Sequence, residues 1–139
     1  MAEVRRVTDS FAVAPQLAVE DIADLKAQGF RTIISNRPDD EAPDGQKAAD
    51  IKAAAEAAGL AYVHAPFVGP PTQEAVEAAA NATGKTIAYC RSGTRSVTAW
   101  ALSQADSGEM SADDIVRAAA GAGYNLSALK DALHRLGAR

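Results

Sequence analysis

The segment at residues 86–105 constrains the fold most. Thr86-Ile87-Ala88-Tyr89 is a short uncharged run of the kind that forms a strand buried on both faces. After the loop at residues 90–95, the stretch from Ser96 to Ala105 places Val97, Trp100, Ala101 and Ala105 at i, i+3, i+4 and i+8, the stripe of a helix that packs on a core, with Gln104 interrupting it at i+7. A buried strand that turns into a helix this quickly belongs to a parallel sheet covered by helices. The rest of the chain repeats the alternation. Residues 31–35 and 61–64 read as short strands, and residues 17–28, 46–58 and 72–80 as helices. Gly29 and Gly59 stop the first two helices, and Thr72 caps the third. Residues 5–13 read as one or two strands with a turn at Asp9-Ser10. Ser111 opens a helix with Asp113 and Asp114 at its positive end, and Asn125 caps a last one carrying Leu126, Leu129, Leu133 and Leu136. The expectation is an α/β fold with a mainly parallel central sheet flanked by helices, residues 1–139 forming one domain.

In such sheets the loops at the carboxyl ends of the strands form the ligand crevice. Three meet there: residues 36–44, residues 65–71 and the loop that begins at Cys90. The third carries the chemistry. Cys90-Arg91-Ser92-Gly93-Thr94-Arg95 leaves a buried strand, turns at a glycine and enters a helix. Backbone amides in such a turn form an anion nest, reinforced by the helix dipole. Arg91 and Arg95 add charge, and Arg95 at the helix mouth is suited to bidentate capture of an anion. A thiol at the rim of this cup is expected to have its pKa lowered from ~8.5 to roughly 3.5–7.5, which makes Cys90 a nucleophile. A cysteine inside an apolar strand is usually an inert core residue. Cys90 follows the strand instead, and basic, hydroxyl and glycine residues come next. Ser92, Gly93, Thr94 and Ser96 complete the expected anion loop.

Other polar residues invite plainer explanations. Asp39, Asp40, Glu41 and Asp44 make an acidic loop that is ordinarily solvated, although one of them could supply a proton. Arg37 could add charge to the pocket, but a surface salt bridge is the simpler reading. His64 ends a strand on the active edge, where a structural role is favoured because a thiolate needs no base. One Cys and two His leave no metal-ligand spacing, and no cofactor motif is present. With 14 basic and 18 acidic residues, the chain has no global attraction for nucleic acid or anionic membrane. The longest stretch without Asp, Glu, Lys or Arg, residues 57–73, is too short and proline-broken to span a bilayer. Residues 1–15 lack an apolar signal core, and a lone cysteine suits a reducing compartment, so a cytoplasmic setting is expected.

The Cys-Arg-Ser-Gly-Thr-Arg-Ser loop resembles the persulfide-carrying loop of single-domain bacterial rhodaneses. The rest of the chain is similar to the bacterial beta-lactamase hydrolase-like family. The similarity lies in Ala14-Pro15-Gln16-Leu17, Leu25-Lys26-Ala27-Gln28-Gly29-Phe30, Asn36-Arg37-Pro38-Asp39 and Ala61-Tyr62-Val63-His64, and it covers roughly residues 4–105. This resemblance implies the fold of dual-specificity phosphatases, with the nucleophile on Cys90 and the anion loop on residues 91–95. It also implies a setting in sulfide detoxification, because fused members carry a persulfide dioxygenase domain. Three departures stand against a protein phosphatase. Such enzymes place five residues between cysteine and arginine, and this chain has four. Tyr89 replaces their histidine. Gly69 stands in the region of their general acid, since the chain there reads Ala65-Pro66-Phe67-Val68-Gly69.

The leading expectation from sequence is therefore a sulfurtransferase that holds sulfane sulfur as a Cys90 persulfide. Thiosulfate or a persulfide would be the donor, a thiol the acceptor, and a persulfide dioxygenase a partner. The alternative is a cysteine-dependent phosphatase, and a further one is a noncatalytic anion-binding module.

Overall fold

The computed structural model describes residues 2–139. Its elements run β1 (Arg5–Arg6), β2 (Phe11–Ala14), α1 (Ile22–Ala27), β3 (Thr32–Ser35), α2 (Ala48–Ala57), β4 (Ala61–His64), α3 (Gln73–Asn81), β5 (Thr86–Tyr89), α4 (Thr94–Ser107), α5 (Ala112–Gly121) and α6 (Lys130–Leu136). The strands form one sheet in the order β1-β2-β5-β3-β4. Only β1 is antiparallel; β2, β5, β3 and β4 run parallel, with Ala14, Tyr89, Ser35 and His64 level at their carboxyl ends. The expected parallel α/β architecture is what the chain adopts.

Strand periodicity sends alternate residues to opposite faces, and β2, β3 and β5 are buried on both, while the edge strand β4 is largely exposed. Ala12, Ile33, Ile87 and Tyr89 pack with Leu25 of α1 and Ile51 of α2. Phe11, Val13, Ile34 and Ala88 pack with Trp100 of α4, Ile115 of α5 and Leu133 of α6. Burial on both sides explains why β5 is uncharged. It is the central strand, so the residue that follows it emerges in the middle of the sheet's edge.

The helix boundaries differ from the sequence expectation in instructive places. Residues 17–28 do not form one helix. Asp21 bonds back to the Ala18 amide, a 3₁₀ turn occupies Val19–Asp21, and α1 begins only at Ile22. Ala18 has no side chain with which to start the helix earlier. Thr72 and Ser111 act as the expected caps, accepting from the Ala75 and Asp114 amides. Asn125 does not cap α6: its Oδ1 accepts from the Ser127 N–H, ahead of a 3₁₀ turn at Ser127–Leu129, and Leu136 at the end of the apolar series is exposed. The helix after the cysteine loop begins at Thr94, two residues before the expected Ser96. Among the described residues no helix is long and apolar enough to cross a membrane.

Trp100 is the largest fully buried side chain and tilts against Phe11 with ring centroids 6.1 Å apart. Trp100→Ala is expected to cost about 3–5 kcal/mol of stability. Urea unfolding would register this as a lower midpoint with an unchanged slope.

Candidate functional site

The three loops converge at the carboxyl edge, as expected, and one residue makes the junction. Asn36, only 2% exposed, follows β3. Its backbone N–H donates to Tyr89 O (2.8 Å), its Nδ2 donates to Ala65 O (3.0 Å), and its Oδ1 accepts from Ser96 Oγ (2.8 Å). A buried amide with each of these groups satisfied ties the ends of β3, β4 and β5 to the first turn of α4.

Cys90 extends the β5 ladder by one bond, its N–H donating to Ala14 O (3.3 Å). It is 1% exposed, and the Gly93 N–H donates to its Sγ at 3.1 Å. Gly93 sits at φ 93° and ψ −12°, the left-handed conformation, immediately before α4. That conformation turns the chain back over the sulfur and leads into the first helical turn, whose amides have no carbonyl partner within the helix. Ser92 and Thr94 link their hydroxyls to each other at 3.1 Å on the exposed rim, and Arg91 is exposed beside them.

Tyr124, from the connection after α5, braces the loop from behind. Its hydroxyl donates to Ser92 O at 2.7 Å, and the Arg5 guanidinium lies 5.3 Å from its ring centre. Burial pushes the Tyr124 phenol above its ordinary range, so it serves as a hydrogen-bond donor. On the other side of the sheet the Tyr89 and Tyr62 hydroxyls meet at 3.1 Å, and burial raises both phenols.

The arginine of the loop is already engaged. Arg95 Nη2 donates to Glu41 Oε1 at 2.6 Å, and Nη1 donates to Glu41 Oε2 at 3.3 Å and to Phe67 O at 3.1 Å. Glu41 lies in a 3₁₀ turn at Asp39–Glu41. The bond from Arg95 holds its carboxyl below the usual carboxylate range, aided by the charges of Arg37 and Arg91. Arg37 is not at the open surface, and its ion pair, Nε to Glu41 Oε1 at 3.8 Å, is partly buried. Its side chain is 10% exposed, with Nη1 donating to Gln16 Oε1 (3.0 Å) and Nη2 to Glu41 O (2.6 Å).

Other expected site residues lie differently. Ser96 is buried, and its hydroxyl turns to Asn36 rather than to an anion in the loop. Asp39 Oδ1 accepts from the Ala48 amide at 2.8 Å and so caps α2. His64 Nε2 donates to the Arg37 carbonyl at 3.0 Å, a structural tie between two strand ends. Among the described residues no three His, Cys, Asp or Glu side chains gather as a metal would require. Sequence reasoning did not single out Asn36, Gln16 or Tyr124, and it treated Glu41 as one of four interchangeable acids. The Asn-Arg pair directly after a strand was the one available signal.

The sequence profile of the beta-lactamase hydrolase-like protein, phosphatase-like domain, matches residues 3–107. The chain belongs to this family. A beta-lactamase hydrolase-like protein of Agrobacterium fabrum is 35% identical over 135 residues, covering 94% of this chain and 31% of that protein. The chain thus spans about a third of that curated relative's length. Among solved structures, the nma1982 protein of Neisseria meningitidis z2491, a candidate phosphatase, superposes with a TM-score of 0.75 at 31% identity. The match covers 94% of this chain and 96% of that one. Kinase associated phosphatase, solved with its catalytic-site cysteine replaced by serine, covers 100% of this chain and 97% of its own at a TM-score of 0.72. Its 16% identity speaks for the fold alone. The fold is that of the cysteine-dependent phosphatases. These likenesses back the phosphatase alternative ahead of the sulfur-transfer expectation.

Two outcomes follow from the geometry. A methyl group on Gly93 would overlap the Tyr124 hydroxyl as well as strain the left-handed turn. Gly93→Ala should lose more than the ~1–2 kcal/mol of the backbone penalty alone, measured by thermal unfolding. For the Glu41–Arg95 pair the sign follows from the lowered carboxyl. Its stabilisation is present above the unfolded Glu pKa of ~4.3 and is lost as pH falls through the lower folded value. The stability difference between wild type and Glu41→Gln should therefore be small, because the pair is partly solvated, and should vanish in strong acid.

Proposed function

We propose that this domain is a cysteine-dependent phosphatase-like hydrolase acting on small phosphate esters. The observation that carries the reading is the Gly93 N–H held 3.1 Å from a lone buried Cys90 Sγ, at the start of a helix whose first turn carries Arg95. In this reading the thiolate attacks phosphorus, an S–P bond forms as the P–O ester bond breaks, and the phosphoryl group is held on Cys90 as an S-phosphocysteine. Water then attacks phosphorus, the S–P bond breaks, and inorganic phosphate leaves. The first-turn amides and the guanidinium neutralise charge on the equatorial oxygens. Glu41 is tied to Arg95 and Asp39 to α2, so neither serves as a ready proton donor. The leaving oxygen therefore takes its proton from water, which favours substrates with acidic leaving groups, such as aryl phosphates, over alkyl phosphates.

A second reading is favoured by one specific feature: four residues rather than five separate Cys90 from Arg95. A tighter loop suits a single sulfur atom better than a phosphoryl group. In that reading thiosulfate gives its outer sulfur to the Cys90 thiolate, sulfite leaves, and a thiol acceptor removes the sulfur from the Cys90 persulfide. A persulfide dioxygenase would be the natural partner of such an activity.

Intact-mass analysis separates the two, because the chain has a single cysteine. Incubation with an aryl phosphate should give a phosphoryl adduct and steady turnover, and Cys90→Ser should abolish both. A one-sulfur adduct from thiosulfate, with no turnover of aryl phosphate, would reverse the order of the two readings.

A further inference from the structure

Arg37 carries the one unexplained polar atom of the site. Its Nε is buried and forms no hydrogen bond, although its side chain is nine-tenths enclosed and its other two nitrogens are satisfied. A buried N–H without a partner costs free energy, so its survival calls for a reason. The nearest opposite charge is Glu41 Oε1, 3.8 Å away. That same oxygen is held by Arg95 Nη2 at 2.6 Å. One carboxylate thus stands between two guanidinium groups, bonded to the first and just out of hydrogen-bond reach of the second.

We infer that Glu41 is a two-position counter-ion. It neutralises Arg95 while the site is empty and passes to Arg37 Nε when a substrate oxyanion claims Arg95. This rests on the reading of the Cys90 loop as an oxyanion site and specifies how that site is kept selective. The physical logic is charge economy. A dianion arriving at Arg95 repels a carboxylate already bound there, and close like charges cost more as water is excluded. Shortening the Arg37 Nε contact by about an ångström, from 3.8 Å to ordinary hydrogen-bond length, gives the displaced carboxylate a new partner and satisfies the orphaned donor. Arg37 is accordingly a positioning residue that acts through Glu41, not a group that touches substrate. Weak monoanions would fail to displace the carboxylate, whereas oxyanions carrying two charges would succeed.

The test uses inorganic phosphate and sulfate as probes, each titrated for its protection of Cys90 against alkylation by neutral iodoacetamide. Read by intact mass, the assay reports one site, since the chain has one cysteine. Glu41→Gln removes the internal competitor and should tighten phosphate binding about fivefold or more, within the usual span of coupling between two sites. Arg37→Lys keeps the charge but lacks the Nε donor. It should weaken phosphate binding in the wild-type background and have no effect when Glu41 is already Gln, a non-additivity that a merely structural loss would not show. Weaker binding in Glu41→Gln would mean that the carboxylate only braces Arg95, and additive effects of the two substitutions would mean that Arg37 does not receive it; either result overturns the two-position proposal and leaves the oxyanion site intact. If neither probe shields Cys90 in any variant, the oxyanion site itself falls, and the proposal falls with it.

Discussion

Asn36 is the constraint on which the rest of the site depends. Three loops must meet above the ends of parallel strands, and each brings backbone groups that lose water when they do. A single buried residue answers this: its backbone N–H bonds to the residue before the cysteine, and its side-chain amide bonds to the loop after β4 and to the first turn of α4. Leaving such groups unpaired costs ~1–3 kcal/mol each. The side chain therefore fastens the loop after β4 to the first turn of α4, beside Cys90. Ser96 belongs to this support: the hydroxyl expected to face an anion is instead the fastener between helix and loop.

The electrostatics are local rather than global. An excess of acidic residues gives the chain no general pull on anions. The positive end of α4, Arg95 and exposed Arg91 create a small region of opposite sign at the centre of the sheet edge. Glu41 moderates it. A guanidinium left bare beside first-turn amides would attract any passing anion, so an internal carboxylate sets a threshold that a ligand has to exceed. The same carboxylate is committed to Arg95 through both of its oxygens.

Much of the fold was legible because it rests on short-range rules. The strands Ala61–His64 and Thr86–Tyr89 were read at their observed ends, since a proline-rich loop and the cysteine loop punctuate them. Thr72 and Ser111 announce helices through a bond three residues long. The failures have the opposite character. Asp21 pulls residues 19–21 into a tight turn through its own local bond, and this competing pattern shortened the first helix. In the site, the cysteine, the arginine and the glycine turn were readable from adjacency. The partners were not: Glu41 meets Arg95 across 54 positions and Tyr124 meets Ser92 across 32. No periodicity or spacing encodes a contact of that kind. Arg37, which looks like a surface charge in the sequence, proves to be enclosed because Gln16 reaches it across 21 positions while Glu41 closes over it from four residues on.

Tyr124 sits seventeen positions past the last residue matched by the family profile, which ends at residue 107. Yet its phenol is the strut behind Ser92, and its ring fills the space that obliges residue 93 to be glycine. The C-terminal helices are thus part of the reactive centre's scaffolding and not a trailing appendage. A fragment trimmed to the profile's edge would strip the cover from Trp100, take away this strut, and leave the loop behind the sulfur unbraced.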